Sequence, residues 1–203
     1  MKVLLASNSP RRRELIKCVF EDVSTCSVDA NEDFVGATPE ETVNEIAKRK
    51  LEKAVECGFA DGYGLIIASD TLVYCGGVYY GKPNAEKGAF EMLKELQGRT
   101  HTVYTSLAIK RGSNITVHCD SADVTFKPLT DGEIDEYLAT HSVLDKAGAY
   151  AFQEEGATLA TYLNAKNEEH YGTHPLITKT LGDVTTIVGL PVKLLRAIAQ
   201  NIV

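Results

Sequence analysis

The chain has 203 residues, 44% hydrophobic and 24% charged, which suits one large domain or two small lobes over 1–203, with a sizeable buried core. Its 21 basic and 28 acidic side chains give a net charge of −7, which excludes a general nucleic-acid binder built on spread basic charge. Five cysteines without C-x-x-C spacing exclude a zinc ribbon and fit reduced thiols in the cytoplasm.

In chain order, Lys2–Ala6 reads as a buried strand, entered directly from Met1, so no secretory leader is expected. Ser9 is suited to cap a helix that begins at Pro10 and buries Leu15, Ile16 and Val19. Residues 28–36 are polar and irregular. Thr38 and Glu41 form a capping-box pattern before a second helix, which carries Val43, Ile46, Ala47, Leu51, Ala54 and Val55 and ends near Gly58. Leu65–Ala68 begins a buried strand that runs through Asp70 to Val73, and Gly76-Gly77 turns it back into Val78–Tyr80. A third helix, capped by Asn84, stops at Gly98. Strands follow at His101–Lys110 and Ile115–Phe126, then a helix from Thr130 to about His141. A last strand is predicted at Asp183–Val188, and Pro191 starts the terminal helix. Apolar runs such as Val3–Ala6 are strand-sized, so no membrane partner is expected. Strands and helices interleave while several strands are hairpin-linked, which predicts a mixed α/β sheet.

Three features carry chemistry. Ser7-Asn8-Ser9-Pro10 leads into Arg11-Arg12-Arg13, and cations are ordinarily unfavourable in a first helical turn. Either phosphate groups accept from these guanidiniums in bidentate geometry, or the turn is a solvated basic patch paired with nearby acids. Asp70 lies at or near the end of a strongly apolar strand, where a carboxylate either holds a metal or accepts strong hydrogen bonds, or is a turn aspartate capping the strand. Gly76 to Gly81-Lys82 approaches a P-loop pattern, but Pro83 replaces its hydroxyl residue and the glycines sit in a hairpin, so the P-loop is rejected. Glu32 and Lys50, taken alone, read as surface charges beside Asp29, Asp33, Lys48, Arg49 and Lys53. Lys146 and Gln153 are both weak in isolation, although the Gln153 amide is of a kind that reads a base edge. The five histidines lack metal-ligand spacing and no Gly-x-Ser-x-Gly elbow is present.

Together the motifs resemble a family. Residues 5–15, Leu-Ala-Ser-Asn-Ser-Pro-Arg-Arg-Arg-Glu-Leu, look like the N-terminal signature of the Maf proteins. Ser69-Asp70-Thr71-Leu72-Val73, Gly81-Lys82-Pro83, residues 145–150 followed by Gln153, and Val188-Gly189-Leu190-Pro191 follow in the family's order. The resemblance implies a two-lobed fold related to the inosine triphosphate pyrophosphatases, with a highly curved mixed sheet and a central nucleotide cleft. It implies cleavage between the α and β phosphates with Mg²⁺ or Mn²⁺, a nucleoside triphosphate as the partner, and a homodimer. Carried over by residue, Asp70 activates water or binds the metal, Glu32 is the second metal carboxylate (with Asp29 as the alternative), and Lys50 and Lys82 contact phosphates. Ser7, Ser9, Arg11 and Arg12 hold the triphosphate, and Thr71, Lys146 and Gln153 complete the substrate set. Arg11, Thr71 and Gln153 match the subgroup acting on dTTP, UTP and related pyrimidines. The segment 164–181 is longer than in bacterial relatives. Two rival readings are a non-catalytic nucleotide-binding regulator of cell division and a purine-preferring house-cleaning pyrophosphatase.

Overall fold

The computed structural model describes residues 1–34, 36–152 and 174–201. Gln153 and most of the long segment 164–181 lie outside them. The described elements are β1 (Val3–Ala6), α1 (Pro10–Ile16), β2 (Val23–Cys26), α2 (Pro39–Glu56), β3 (Leu65–Cys75), β4 (Val78–Tyr80), α3 (Glu86–Leu96), β5 (Thr100–Arg111), β6 (Asn114–Phe126), α4 (Asp131–Thr140), a 3₁₀ turn (Ala147–Ala149), β7 (Ile177–Leu181), α5 (Val184–Val188) and α6 (Val192–Gln200).

The strands form one mixed seven-stranded sheet in the order β2-β1-β3-β5-β6-β7, with β4 on β3. β1 is parallel to both β2 and β3, whereas β3–β4 and β6–β7 are antiparallel. The predicted α/β class and mixed sheet are therefore present. Gly76 and Gly77 both have positive φ, 57° and 91°, as the tight turn between β3 and β4 requires.

The chain divides into two compact units. The first comprises Met1–Thr71, Tyr104–Asp120 and the described residues from Thr185 onward. Its core includes Leu4 and Ala6 of β1, Ile66 and Ala68 of β3, Ala108 of β5, and Ala47, Leu51 and Ala54 of α2. The periodic apolar face of α2 is thus what seats that helix on the sheet. Its start is fixed by the predicted capping box: Thr38 Oγ1 accepts from the Glu41 N–H at 3.1 Å, and Glu41 accepts in return from the Thr38 N–H at 3.2 Å.

The second unit comprises Leu72–Val103 and the described part of Ser121–Val184. There α3 packs on α4 and on the 3₁₀ turn. His101, Phe126 and Tyr150 meet edge to face with ring centroids 4.8–5.3 Å apart. The Gly148 N–H donates to the Gly81 carbonyl at 3.1 Å, tying two of the sequence motifs together.

Three sequence expectations are corrected. Asp183–Val188 is not the last strand: Val184–Val188 is helical, and the Thr185 carbonyl accepts from the N–H groups of Gly189 and Leu190. Its β-branched run is buried as helix after Gly182, at φ 111°, breaks away from β7, so tertiary packing overrides strand preference. The true last strand, Ile177–Leu181, and the early strand Val23–Cys26 bury only Ile177 and Thr180 between them, so they lack the continuous apolar run that marks β1. The third helix has Ala85, not Asn84, at its N-cap, with no side-chain cap bond.

Candidate functional site

The turn after β1 is held by its own serines. The buried Ser7 hydroxyl accepts from the Ser9 N–H at 3.2 Å, and Ser9 caps α1 by accepting from the Arg12 N–H at 3.5 Å. With Pro10 as the first helical residue, this turn directs Arg12 inward. The Arg12 Nε–H donates to the Gly189 carbonyl at 2.7 Å, and its Nη2 donates to Thr71 Oγ1 at 2.8 Å. Ser69 Oγ also donates to the Gly189 carbonyl, at 3.1 Å. Thr71 Oγ1 lies 3.0 Å from Thr105 Oγ1, and Thr105 donates to the Thr186 carbonyl at 2.7 Å.

Next to Thr71, the Asp70 carboxylate faces Lys50 of α2. Lys50 Nζ lies 2.5 Å from Asp70 Oδ1 and 2.6 Å from Glu32 Oε1, so one ammonium bridges two carboxylates. Asp70 and Lys50 are buried, whereas the Glu32 side chain is 44% exposed. Lys50 is held there because it shares a face with Val43, Ile46, Ala47 and Ala54, all buried. That placement was readable in the sequence: Lys50 interrupts an apolar helical stripe and is unlike its neighbours. Lys48 and Lys53, in contrast, make ordinary exposed pairs with Glu52 and Glu56.

Glu32 is positioned through Arg49. Besides pairing with Glu45 at 3.3 Å, Arg49 donates from Nη1 to the carbonyls of Asn31 at 3.5 Å and Asp33 at 3.3 Å. The loop is thereby clamped to α2 on both sides of Glu32. Glu32, and not Asp29, is the carboxylate that reaches Lys50.

Electrostatics follow from this crowding. Burial lowers the pKa of the Arg12 guanidinium, Asp70 opposes that shift, Arg11 adds to it and Glu32 again opposes it. Two acids and three cations thus lie within electrostatic reach of one another in the first unit. The donor set also suits a hard cation. Two carboxylates already converge on one positive charge, and Mg²⁺ or Mn²⁺ takes one or two carboxylates and fills the remaining positions with water and phosphate oxygens. No group of three His, Cys, Asp or Glu side chains suited to a metal occurs among the described residues.

Lys82 and Lys146 belong to the second unit. Lys82 is exposed just after β4. Lys146 donates to the Ser142 carbonyl and to Asp145 Oδ1, the latter at 2.6 Å. Ala149, beside Lys146, is the one non-glycine residue with positive φ (59°) among the described residues.

The family profile described as Maf-like protein matches residues 2–202. The chain belongs to the Maf family. Its Maf relatives include a dTTP/UTP pyrophosphatase of Thermosipho melanesiensis, 36% identical over 192 residues, covering 95% of this chain and 93% of that protein. Another, from Latilactobacillus sakei subsp. sakei, is 37% identical over 201 residues, covering 98% and 99%. A third, from Aquifex aeolicus, is 31% identical over 202 residues, covering 100% and 96%. Of the Maf motifs, the first, the Asp70 strand and the Val188–Pro191 turn meet around Arg12 in the first unit. Thr105 and Arg49 belong to no motif, and Thr105 left no signal in the sequence because a lone threonine within a strand is commonplace.

Proposed function

We propose that this Maf protein hydrolyses nucleoside triphosphates between the α and β phosphates, releasing a monophosphate and pyrophosphate, with dTTP and UTP preferred. The observation that carries this reading is the Lys50 ammonium bridging buried Asp70 and Glu32, beside an Arg12 guanidinium anchored on Thr71 and Gly189. The pyrimidine preference is supported by the relatives, which are named dTTP/UTP pyrophosphatases. It also draws on the family resemblance at Arg11, Thr71 and Gln153.

In this mechanism Asp70 accepts the proton of a water that attacks the α phosphorus; the new O–P bond forms as the bond to the bridging oxygen breaks. Arg11 and Arg12 bind the phosphate chain through their guanidinium forks and neutralise charge that grows on the departing pyrophosphate. Lys50 holds Asp70 and Glu32 in register and orients the Asp70 carboxylate. Ser7 and Ser9 fix the turn from which Arg12 projects. A Mg²⁺ or Mn²⁺ held by Asp70 and Glu32 would supply Lewis-acid polarisation of the phosphate oxygens. Roles for Lys82 at the phosphates and for Thr71, Lys146 and Gln153 at the substrate are part of the proposal and rest on the family resemblance. So do a single domain over 1–203 and a homodimer. A reducing, cytoplasmic setting is supported by five free cysteines. No helix among the described residues is long and apolar enough to cross a membrane.

The test is pyrophosphate release from a nucleoside triphosphate panel with Mg²⁺ or Mn²⁺, wild type beside Asp70→Asn. Turnover of dTTP and UTP that drops on the order of 100-fold or more in the variant is expected. Orthophosphate as the product, or turnover retained in Asp70→Asn, would refute the mechanism.

A further inference from the structure

The bonds around Arg12 have a direction. Thr105 has one hydroxyl hydrogen, and at 2.7 Å it is given to the Thr186 carbonyl, an acceptor only. The 3.0 Å contact between Thr71 and Thr105 must then be donated by Thr71. Thr71 has no second hydrogen, which agrees with its accepting from Arg12 Nη2 at 2.8 Å. The order runs one way, from guanidinium to Thr71 hydroxyl to Thr105 hydroxyl to backbone carbonyl. Thr105 and Thr186 are fully buried, so water does not compete at the inner end.

On the guanidinium, Nε–H and one Nη2 hydrogen lie along one edge, and both are committed. The fork formed by Nη1 and the other Nη2 hydrogen is uncommitted among the described residues. That fork is the bidentate partner of a phosphate. Gly189 completes the clamp: a Cβ there would lie 3.3 Å from both Arg12 Nε and Thr71 Oγ1, pushing both by a few tenths of an ångström, at a φ of 118° that favours glycine.

We propose that Thr71 and Thr105 are positioning residues that aim the Arg12 fork at the polyphosphate chain, and that Thr71 serves the substrate through Arg12 and not by donating to it. This rests on the pyrophosphatase reading for its substrate class. It predicts that Thr105, which lies in no sequence motif, governs polyphosphate affinity only while Arg12 is present.

The experiment is a double-mutant cycle on the full chain, reading inorganic tripolyphosphate binding by calorimetry and dTTP turnover by pyrophosphate release. Thr105→Val should weaken tripolyphosphate binding roughly 10-fold and raise KM more than it lowers kcat. Thr105→Ser should bind as wild type does, because it keeps the hydroxyl. In an Arg12→Ala background, Thr105→Val and Thr71→Val should each change binding less than about twofold. Melting curves on every variant separate loss of fold from loss of aim. The proposal is overturned if Thr105→Val binds normally or weakens binding equally without Arg12. It is also overturned if Thr105→Ser fails to rescue, or if wild type does not bind tripolyphosphate. A cycle that behaves as expected in a protein releasing no pyrophosphate from any nucleotide would refute the reaction and leave the positioning role standing.

Discussion

Replacing Lys50 by methionine keeps an extended side chain and removes the ammonium that lies 2.5 Å from Asp70 and 2.6 Å from Glu32. The Asp70 side chain is only 11% exposed, so its charge is left behind in a poorly solvated place. Removing one partner of a buried pair costs about 3–5 kcal/mol. The Glu32 arm, 44% exposed, adds at most about 1 kcal/mol because solvent screens it. In a chain of this size each kcal/mol moves the melting temperature by about 2–4 °C, so Lys50→Met should melt roughly 10 °C below wild type. The double variant Lys50→Met/Asp70→Asn removes both buried charges and should regain most of that loss. Its pyrophosphate release should nevertheless stay abolished, because the base is gone. Thermal melting followed by circular dichroism, with turnover of dTTP on the same samples, reads both quantities. A single variant melting within about 2 °C of wild type would refute the buried-bridge argument. A double variant no more stable than the single would refute it equally.

Burial holds the His101 imidazole down to about 4 from its ordinary 6.5, with Arg99 acting in the same direction. The unfolded chain therefore binds the extra proton between those values, so His101 favours the fold above pH 6.5 and costs about 3 kcal/mol of stability by pH 4. Urea unfolding across this range should show the fall, and His101→Phe should flatten part of it; His174, also held down to about 4 by burial, adds a second part in the same direction. An equally steep profile in His101→Phe would contradict the assignment. Gly189→Ala forces a side chain onto φ 118° and against Arg12, so it should cost about 1–3 kcal/mol and raise KM for dTTP. An unchanged KM would remove Gly189 from the clamp. Thr38→Ala breaks the α2 capping box and should cost about 1 kcal/mol, visible as a lower melting temperature with kcat unchanged. A fall in kcat would mean that capping reaches the Lys50 bridge.

Local chemistry was legible wherever it acts over a few residues. The Ser9 cap, the boxes at Thr38 and Thr130, and the turn at Gly76-Gly77 follow from side-chain bonds or positive φ within four residues. Asp70 could be singled out because a carboxylate in an apolar strand is costly unless something compensates it. What compensates it was hidden: Lys50 sits in a basic stretch that reads as surface, although its place on the apolar stripe was a usable signal. Glu32 lies in an irregular loop whose course is set by the Arg49 clamp. The strand expected at Asp183–Val188 failed because β-branched residues favour a strand only until packing rewards burial in another form.

By itself the sequence determined the mixed α/β class and the family and singled out the candidate site residues, since periodicity, caps and ordered motifs are properties of near neighbours. Only the tertiary structure decided which of those residues meet. It set Lys50 between Asp70 and Glu32, and it joined Arg12 to Thr71, Thr105 and Gly189 across as many as 177 positions of chain. Such bonds depend on distance and direction in the folded protein, and spacing along the chain carries neither.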